Sequence, residues 1–403
     1  MKTRITMGIY IHIPFCAKKC NYCDFLSFSA DEVLKEAYVN ALTNEIKAYG
    51  HLYGKSCPAP ALISSVFFGG GTPSILKSKY IYQLMSALHD SFELSDDCEI
   101  TVECNPGTVS PSKFSDYHCI GINRLSIGLQ SAEPNELKAL GRIHSYEDFA
   151  ESFKNGRKAG FNNINTDIMS ALPGQTVLSY KKTLEKALSF EPEHISAYSL
   201  IIEEGTEFFN IYNSYNPDRG FAPLPDEDTE REMYYMTCEL LETKGLNRYE
   251  ISNYSRYGFE CRHNLGYWSR LNYLGFGIGA ASFINNIRFK NISDIKKYIE
   301  INNSSANTPF SSYYIDKLID NSELIILSRA DEMAEYMYLG LRKIRGVSIN
   351  GFFDAFGKSL YEVYGSVIDK HLKNGLMVIK NDLVSLTKKG LDVSNYILSD
   401  FIL

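Results

Sequence analysis

The sequence predicts an α/β chain: a partial (β/α)6 barrel, then a linking α+β segment, then a small α-rich, winged-helix-like C-terminal module. Three observations lead there. Short apolar strand patterns alternate with helical patterns through the first two hundred residues, the order expected of parallel βαβ units. The strand candidates end in polar or glycine-rich signatures, as they do where a parallel fold builds a site at one face. Pro217, Pro223 and Pro225, and later a polar Asn- and Ser-rich stretch at 302–322, interrupt the pattern. A chain of 403 residues exceeds one small core. The expected division is a barrel core over 1–225, a post-barrel segment over 226–322 and the C-terminal module over 323–403.

In order, the first strand is expected at 7–15 and a helix from an N-cap at Asp31 to about Leu52. Ser64–Phe68, Cys98–Glu103, Arg124–Leu129, Asn163–Met169 and His194–Ile201 are the next five strands. Helical patterns at Tyr80–Phe92, Tyr146–Gly160 and Leu178–Phe190 lie between them. Residues 203–225 read as a connection broken by proline, followed by a helix over Asp226–Lys244. Tyr249–Tyr254 and Cys261–Trp268 read as irregular, and the glycine-rich run Tyr273–Ala281 closes that segment. Helices near 330–344, 348–356 and 359–374, two strands around Lys380–Asp382 and a last helix opened by Thr387 make up the C-terminal module.

Composition excludes several classes. A hydrophobic content of 44% and a net charge of −7 describe an ordinary globular chain without the basic face of a nucleic-acid binder, so no nucleic acid is expected. No apolar run is long enough to span a bilayer, which leaves only peripheral membrane contact open. The sequence begins Met1-Lys-Thr-Arg without a signal-peptide pattern, so its nine cysteines read as reduced and cytoplasmic. Cys57, Cys98, Cys104, Cys119 and Cys238 have no ligand spacing and read as small buried hydrophobes.

The other thiols differ. Cys16, Cys20 and Cys23 stand at C-x3-C-x2-C spacing just after the first strand. Zinc would want four protein ligands, usually in pairs, and no partner pair follows. Three thiolates on one loop suit a 4Fe–4S cube with one iron left open. With Tyr22 between the second and third thiols, the stretch resembles the radical S-adenosylmethionine superfamily. That resemblance implies S-adenosylmethionine chelated on the open iron, an electron donor, and a 5′-deoxyadenosyl radical supplied by the cofactor. It also gives roles to the strand ends. Gly69-Gly70-Gly71-Thr72-Pro73 resembles the segment that binds the methionyl amino group, and Glu103 would neutralise that ammonium. Arg142 would clamp the methionyl carboxylate, while Gln130 and Asp167 would reach the ribose hydroxyls.

The resemblance narrows through Tyr-Ile-His-Ile-Pro-Phe-Cys, Phe-Gly-Gly-Gly-Thr-Pro, Ile-Gly-Leu-Gln-Ser, Leu-Gly-Arg-Ile-His and Ala-Leu-Pro-Gly-Gln. Together these are similar to the oxygen-independent coproporphyrinogen III oxidase family. It implies a cluster and S-adenosylmethionine site made of Tyr10, Cys16, Cys20, Tyr22, Cys23, Gly70, Gly71, Thr72, Glu103, Gln130, Arg142 and Asp167, with Ser199 and Ala281 as outlying contacts. One position departs. Oxidases of this family carry a fourth cysteine two residues after the third, and here that residue is Phe25. The Cys-Asp-Phe ending and the His-Asn-Leu-Gly-Tyr-Trp segment resemble the family's haem-chaperone branch, which implies haem as cargo and haem-acceptor proteins as partners.

His263 is the candidate axial ligand for haem, with Tyr267 and Trp268 to border a porphyrin and Cys261 as an alternative thiolate. The competing expectation is a histidine hydrogen-bonded inside an aromatic core. Radical decarboxylation of porphyrinogen propionates, an oxidoreductase activity like coproporphyrinogen III dehydrogenase, and radical methylation or cyclisation of another substrate are the alternatives to haem delivery.

Overall fold

The computed structural model describes residues 5–402 except 56, 58, 214–219 and 305–315. Strands β1 (Thr6–Ile13), β2 (Leu62–Gly70), β3 (Glu93–Cys104), β4 (Arg124–Gln130), β5 (Ile164–Ser170) and β6 (His194–Ser199) pair in parallel, each with the next in sequence. Helices α1 (Glu32–Tyr53), α2 (Ser78–Ser91), α3 (Pro111–Cys119), α4 (Pro134–Ala139), α5 (Tyr146–Lys158) and α6 (Val177–Leu188) occupy the crossovers. The six β/α units expected from the pattern are therefore present. Side-chain alternation fixes which face of each strand is which. Ile9, Ile11 and Ile13 of β1 are fully buried against Tyr38, Val39 and Leu42 of α1, each stabilising the layer by about 1.5–3 kcal/mol. Gly8, Tyr10 and His12 turn the other way, into the barrel, where a Cβ on Gly8 would press on Ser65 and His263.

Local capping explains the helix starts. Asp31 accepts from the Leu34 N–H at 2.8 Å. Ser145 with Asp148, and Thr176 with Ser179, close reciprocal capping boxes at α5 and α6.

The sheet continues beyond the six units at both edges. Its order is β12-β11-β10-β9-β1-β2-β3-β4-β5-β6-β8-β7, twelve strands in all among the described residues. The added strands are β7 (Asn247–Arg248), β8 (Asn253–Ser255), β9 (Asn272–Phe276), β10 (Ala281–Ile284), β11 (Ile287–Lys290) and β12 (Ile325–Ile326). β9 runs parallel to β1, with Tyr10 opposite Gly275. Glu45 of α1 fastens this addition, accepting from Gly277 N (2.8 Å), from Asn291 Nδ2 (2.6 Å) and from the Tyr298 hydroxyl. Burial pushes its carboxyl up to about 7.

Several expectations need correction. The connection at 203–225 is not wholly irregular, because Thr206 caps a helix α7 (Glu207–Tyr212); Pro217 lies outside the described residues. The expected helix after it is α8 (Glu227–Thr243). Arg262–Trp268 is a helix, α9, rather than loop, because Glu99 of β3 receives the Arg262 and His263 backbone N–H groups at 3.1 Å each. Much of the polar stretch at 302–322 lies outside the described residues, and its first residues end a helix α10 (Ile295–Ser304). Cys98 and Cys104 are buried as expected, but Cys57 and Cys238 are only half-buried and Cys119 is exposed at the end of α3.

The C-terminal part has its own core, with Met337, Leu341, Phe352, Tyr364, Ile368 and Phe401 at its centre. Helices Arg329–Gly340, Ile349–Phe356 and Leu360–Lys373 pack with a three-stranded sheet ordered β13 (Val347–Ser348), β15 (Leu383–Leu386), β14 (Met377–Lys380). The β14–β15 hairpin turns through Asn381 in the left-handed region. Thr387 caps the helix Lys388–Asp392, completing the winged-helix-like order. No helix among the described residues is long and apolar enough to cross a membrane.

Candidate functional site

Eleven of the expected site residues line one cavity, where the β strands end. They are Cys16, Cys20, Tyr22, Cys23, Gly70, Gly71, Thr72, Glu103, Gln130, Arg142 and Asp167, together with Asn105, Ser126 and Tyr198. The cysteines arrive on the loop after β1. That loop is held at its root by Cys16 N–H to Phe28 C=O (3.0 Å) and Phe28 N–H to Pro14 C=O (2.9 Å). Its tip is held by Asn21, whose backbone N–H donates to Leu140 C=O (3.0 Å), whose side chain donates to Ala139 C=O, and whose C=O receives the Phe208 N–H. A small core of Leu140, Met169, Leu172, Phe208 and Ile211 packs beneath Tyr22. The thiols are thus carried on a braced loop.

The glycine run has its backbone donors already engaged. Gly71 N–H donates to Ile13 C=O and Thr72 N–H to Phe15 C=O, both at 2.8 Å, and Gly70 N–H donates to Glu103 Oε2 at 3.2 Å. These donors are spent on the loop and on Glu103, so the segment offers a ligand an acceptor role. A Cβ on Gly70, which has φ of +109°, would meet the His12 ring at 2.5 Å, and one on Gly71 would meet β1 backbone at 2.9 Å. Gln130 and Ala171, at the ends of β4 and β5, hold positive φ without being glycine. Backbone strain of this kind gathers at binding sites.

The charges are arranged around Arg142. Its Nη2 donates to Asn105 Oδ1 (2.6 Å) and Gly128 C=O (3.2 Å), and its Nη1 points at Cys20 Sγ (3.8 Å). Its Nε is buried without a partner. Glu103 is pushed up to about 8, chiefly by burial and then by the charge of Asp167. Asp167 is also raised by burial, although Asn165 (2.7 Å) and Ser126 (3.1 Å) donate to it. A cavity with two reluctant carboxylates, an incompletely paired guanidinium and free thiols suits a zwitterionic ligand beside a thiolate-held group. Among the described residues no three His, Cys, Asp or Glu side chains converge on a single metal-ion position. The donor set is soft sulfur, and thiols taking different corners of a cube need not converge on one point.

The other candidates lie elsewhere. Tyr10 is two residues below His12 on β1, donates its hydroxyl to His12 Nδ1 (3.1 Å) and stacks on Phe67, so it is not brought into the cysteine-lined cavity. It borders a second cavity together with Ala281. Ser199 faces a third, beside Ser170 and Tyr180. His263 is only 4% exposed. Its ring stacks on Phe67, with Nδ1 bonded to the Ser65 hydroxyl (3.0 Å) and Nε2 to the Tyr267 hydroxyl (2.9 Å). Burial, reinforced by the Arg124 charge, pushes its pKa down to about 3, so it is a neutral imidazole. Cys261 offers no thiolate: burial pushes it up to about 12, and it donates to Glu99 Oε1 at 3.5 Å.

Sequence reading passed over Asn21, Asn105, Ser126 and Tyr198. Asn21 lies inside the C-x3-C-x2-C spacing, Asn105 two residues after Glu103, and Ser126 and Tyr198 at alternate positions of expected strands, so the inward-facing parity was the available signal.

Two family descriptions match the chain: the Radical SAM superfamily over residues 10–187 and the HemN C-terminal domain over residues 327–393. The heme chaperone HemW of Bacillus subtilis is 36% identical over 394 residues, covering 98% of each chain. The heme chaperone HemW of Lactococcus lactis is 33% identical, covering 98% of this chain and 97% of that one. Coproporphyrinogen III oxidase (HemN) from Escherichia coli, a solved structure, matches with a TM-score of 0.81 at 21% identity, over 99% of this chain and 90% of that chain. That likeness speaks to the fold alone.

Proposed function

We propose that this chain, which belongs to the radical SAM superfamily and within it to the heme chaperone HemW family, binds haem and delivers it to acceptor proteins. The carrying observation is its likeness over nearly its full length to proteins of that name. Phe25, in place of the fourth cysteine, agrees with it. In this reading Cys16, Cys20 and Cys23 hold a 4Fe–4S cluster. S-adenosylmethionine takes the remaining iron, and an electron donor and a cytoplasmic setting belong to the same reading. A cluster held there supplies one-electron chemistry toward the bound sulfonium. The chain's own residues bind and orient: Arg142 receives the methionyl carboxylate, Glu103 and the glycine segment the ammonium, and Gln130 and Asp167 the ribose. Thr72, 3.5 Å from Cys16 Sγ, and Tyr22 line the approach.

Glu103 makes this site pH-dependent. With its carboxyl raised to about 8, it is mostly protonated at neutral pH, whereas an ammonium needs the carboxylate. Binding then expels a proton. S-adenosylmethionine affinity should rise by up to about tenfold per pH unit as pH approaches 8 and fall again above it, where the ligand's own amino group loses the proton that the carboxylate pairs with. Calorimetry across pH 6–9 reads this directly, and Glu103→Gln should remove the rising limb below pH 8 while weakening binding.

His263 is the proposed haem ligand, reached once Tyr267 releases Nε2. The function is tested with anaerobically reconstituted protein, reductant, S-adenosylmethionine and coproporphyrinogen III, followed by mass analysis of the tetrapyrrole. The expected outcome is no protoporphyrinogen, alongside stoichiometric haem binding and transfer to an apo-haemoprotein. Turnover to protoporphyrinogen would instead make the chain a decarboxylase.

A further inference from the structure

The second cavity, away from the cysteines, has a volume of about 400 Å³, within the range of small-molecule sites. Its walls are largely aromatic: Tyr10, Tyr267, Trp268, Tyr273 and Phe283. Its charged lining among the described residues is two guanidiniums, Arg270 and Arg288, whose carbons sit 5.4 Å from the Phe283 ring centre. We propose that this cavity seats a flat tetrapyrrole bearing two carboxylate side chains, with Arg270 and Arg288 receiving the carboxylates. The proposal rests on the haem-binding reading above and adds the residues that recognise the periphery of the macrocycle.

Charge carries the argument. Both arginines lean on one carboxylate, that of Glu335 on the helix Arg329–Gly340. Arg270 Nε donates to it at 3.0 Å and Arg288 Nη1 at 2.7 Å. Glu335 is only 2% exposed and also receives the Tyr338 hydroxyl at 3.4 Å. Two cations against one anion leave an uncompensated positive charge at a half-buried aromatic surface, where a chain gains nothing unless an anion comes to it. Each guanidinium has five N–H donors, more than Glu335, the Asn286 side chain 3.0 Å from Arg270 Nη2 and the Tyr273 hydroxyl at Arg288 can absorb. Arg270 also holds a left-handed backbone, φ +53°, which an unbranched side chain adopts only at a cost. The Trp268 indole Nε1–H is buried without an acceptor. A cationic pair, an orphan donor and flat aromatic walls describe a planar, acidic, aromatic ligand.

The cavity also adjoins His263. Tyr267 lines it and holds His263 Nε2 with its hydroxyl, so a ring inserted beside Tyr267 lies next to the imidazole. Glu335 is then a stand-in for the ligand's carboxylates: it keeps the arginines in place and competes with the ligand for them. Because Glu335 belongs to the C-terminal part, occupation of the cavity and the hold of that part on the barrel oppose each other.

The test titrates the full-length chain with haem, haem dimethyl ester and metal-free protoporphyrin IX. Soret absorbance and quenching of Trp268, the chain's single tryptophan, follow binding. Arg270→Gln/Arg288→Gln should weaken both acids by about a hundredfold, since each charge-assisted pair contributes about tenfold or more. The diester should bind the unaltered chain about as weakly as haem binds the double variant. Glu335→Gln should tighten haem binding several-fold, the reverse of what loss of a merely structural ion pair would do. Equal affinity for haem and its diester, or a double variant that keeps full affinity, overturns the assignment while leaving haem binding intact. An unaltered chain that takes up no tetrapyrrole overturns the haem reading itself.

Discussion

Cys20→Ala should abolish assembly of the proposed cluster: after anaerobic reconstitution with iron and sulfide, the variant should retain almost none of the iron–sulfur absorbance of the unaltered chain. Only three thiols enter the loop at ligand spacing, and the position where a fourth would stand is Phe25, 60% exposed at the rim of the cavity. The one other thiol lining that cavity, Cys104, is not a replacement. It is 3% exposed, its Sγ donates to Val102 C=O at 3.8 Å, and full burial raises its pKa well above the usual thiol range. In the proposed reading three thiolates are all the protein offers a cube whose fourth iron has no protein ligand, so losing one of them should remove its hold. Folding should survive, because Cys20 is half-buried and its one side-chain contact of note is the Arg142 Nη1 at 3.8 Å. A change of about 0.5 kcal/mol in unfolding free energy is expected, the ordinary cost of a substitution outside the core. Cys57→Ala, outside the cavity, is the control and should bind iron as before.

This prediction uses residues that were legible in the sequence, and the reason is local. Three thiols on one loop need no distant partner to declare themselves. Glycine, glutamate, glutamine and aspartate at successive strand ends were legible for a related reason: period-two alternation tells which residues of a strand share a face, and parallel strands end at a common mouth. What sequence reading missed acts across the chain. Asn21 means nothing until Leu140 and Phe208 lie against it. Helix α9 carries His263 and Asn264 in its first turn and contains Gly266, poor helix formers, and it forms because Glu99, more than 160 residues earlier, receives its first N–H groups. β9 is five residues containing a glycine, Gly275, too short to stand out, and its parallel partner β1 lies at the other end of the barrel sequence. Tyr10 and Ala281 were expected as cofactor contacts by resemblance alone, yet they meet at a cavity whose other walls come from α9, β9–β11 and the C-terminal part. No local pattern encodes that meeting.

His263→Ala should remove haem binding, lowering affinity on the order of a hundredfold or more, whereas Tyr267→Phe should strengthen it. The opposition of the two effects follows from geometry. His263 Nε2 is engaged by the Tyr267 hydroxyl at 2.9 Å and Nδ1 by Ser65 at 3.0 Å, so ligation must first break the Tyr267 bond. Tyr267→Phe removes that competitor and keeps the ring that packs edge-on against His263 at 4.8 Å and Tyr273 at 4.6 Å. A net hydrogen bond contributes about 1 kcal/mol, so the gain should be about fivefold. The pH behaviour separates this imidazole from an exposed one. Held down to about 3 by burial, it stays neutral and ligation-ready between pH 5 and 8, so its own titration adds no slope to haem affinity there. The same depression makes its contribution to folding fully present above pH 6.5 and lost progressively as pH falls toward 3, because the unfolded imidazole takes up a proton that the folded one refuses. His263→Ala should therefore flatten that part of the acid-unfolding curve as well as remove haem. If it flattens the curve and leaves haem affinity unchanged, His263 is a core histidine and the iron finds its ligand elsewhere. If both change together, one imidazole serves the empty barrel as a neutral wedge and the loaded one as an axial ligand, with Tyr267 deciding between them.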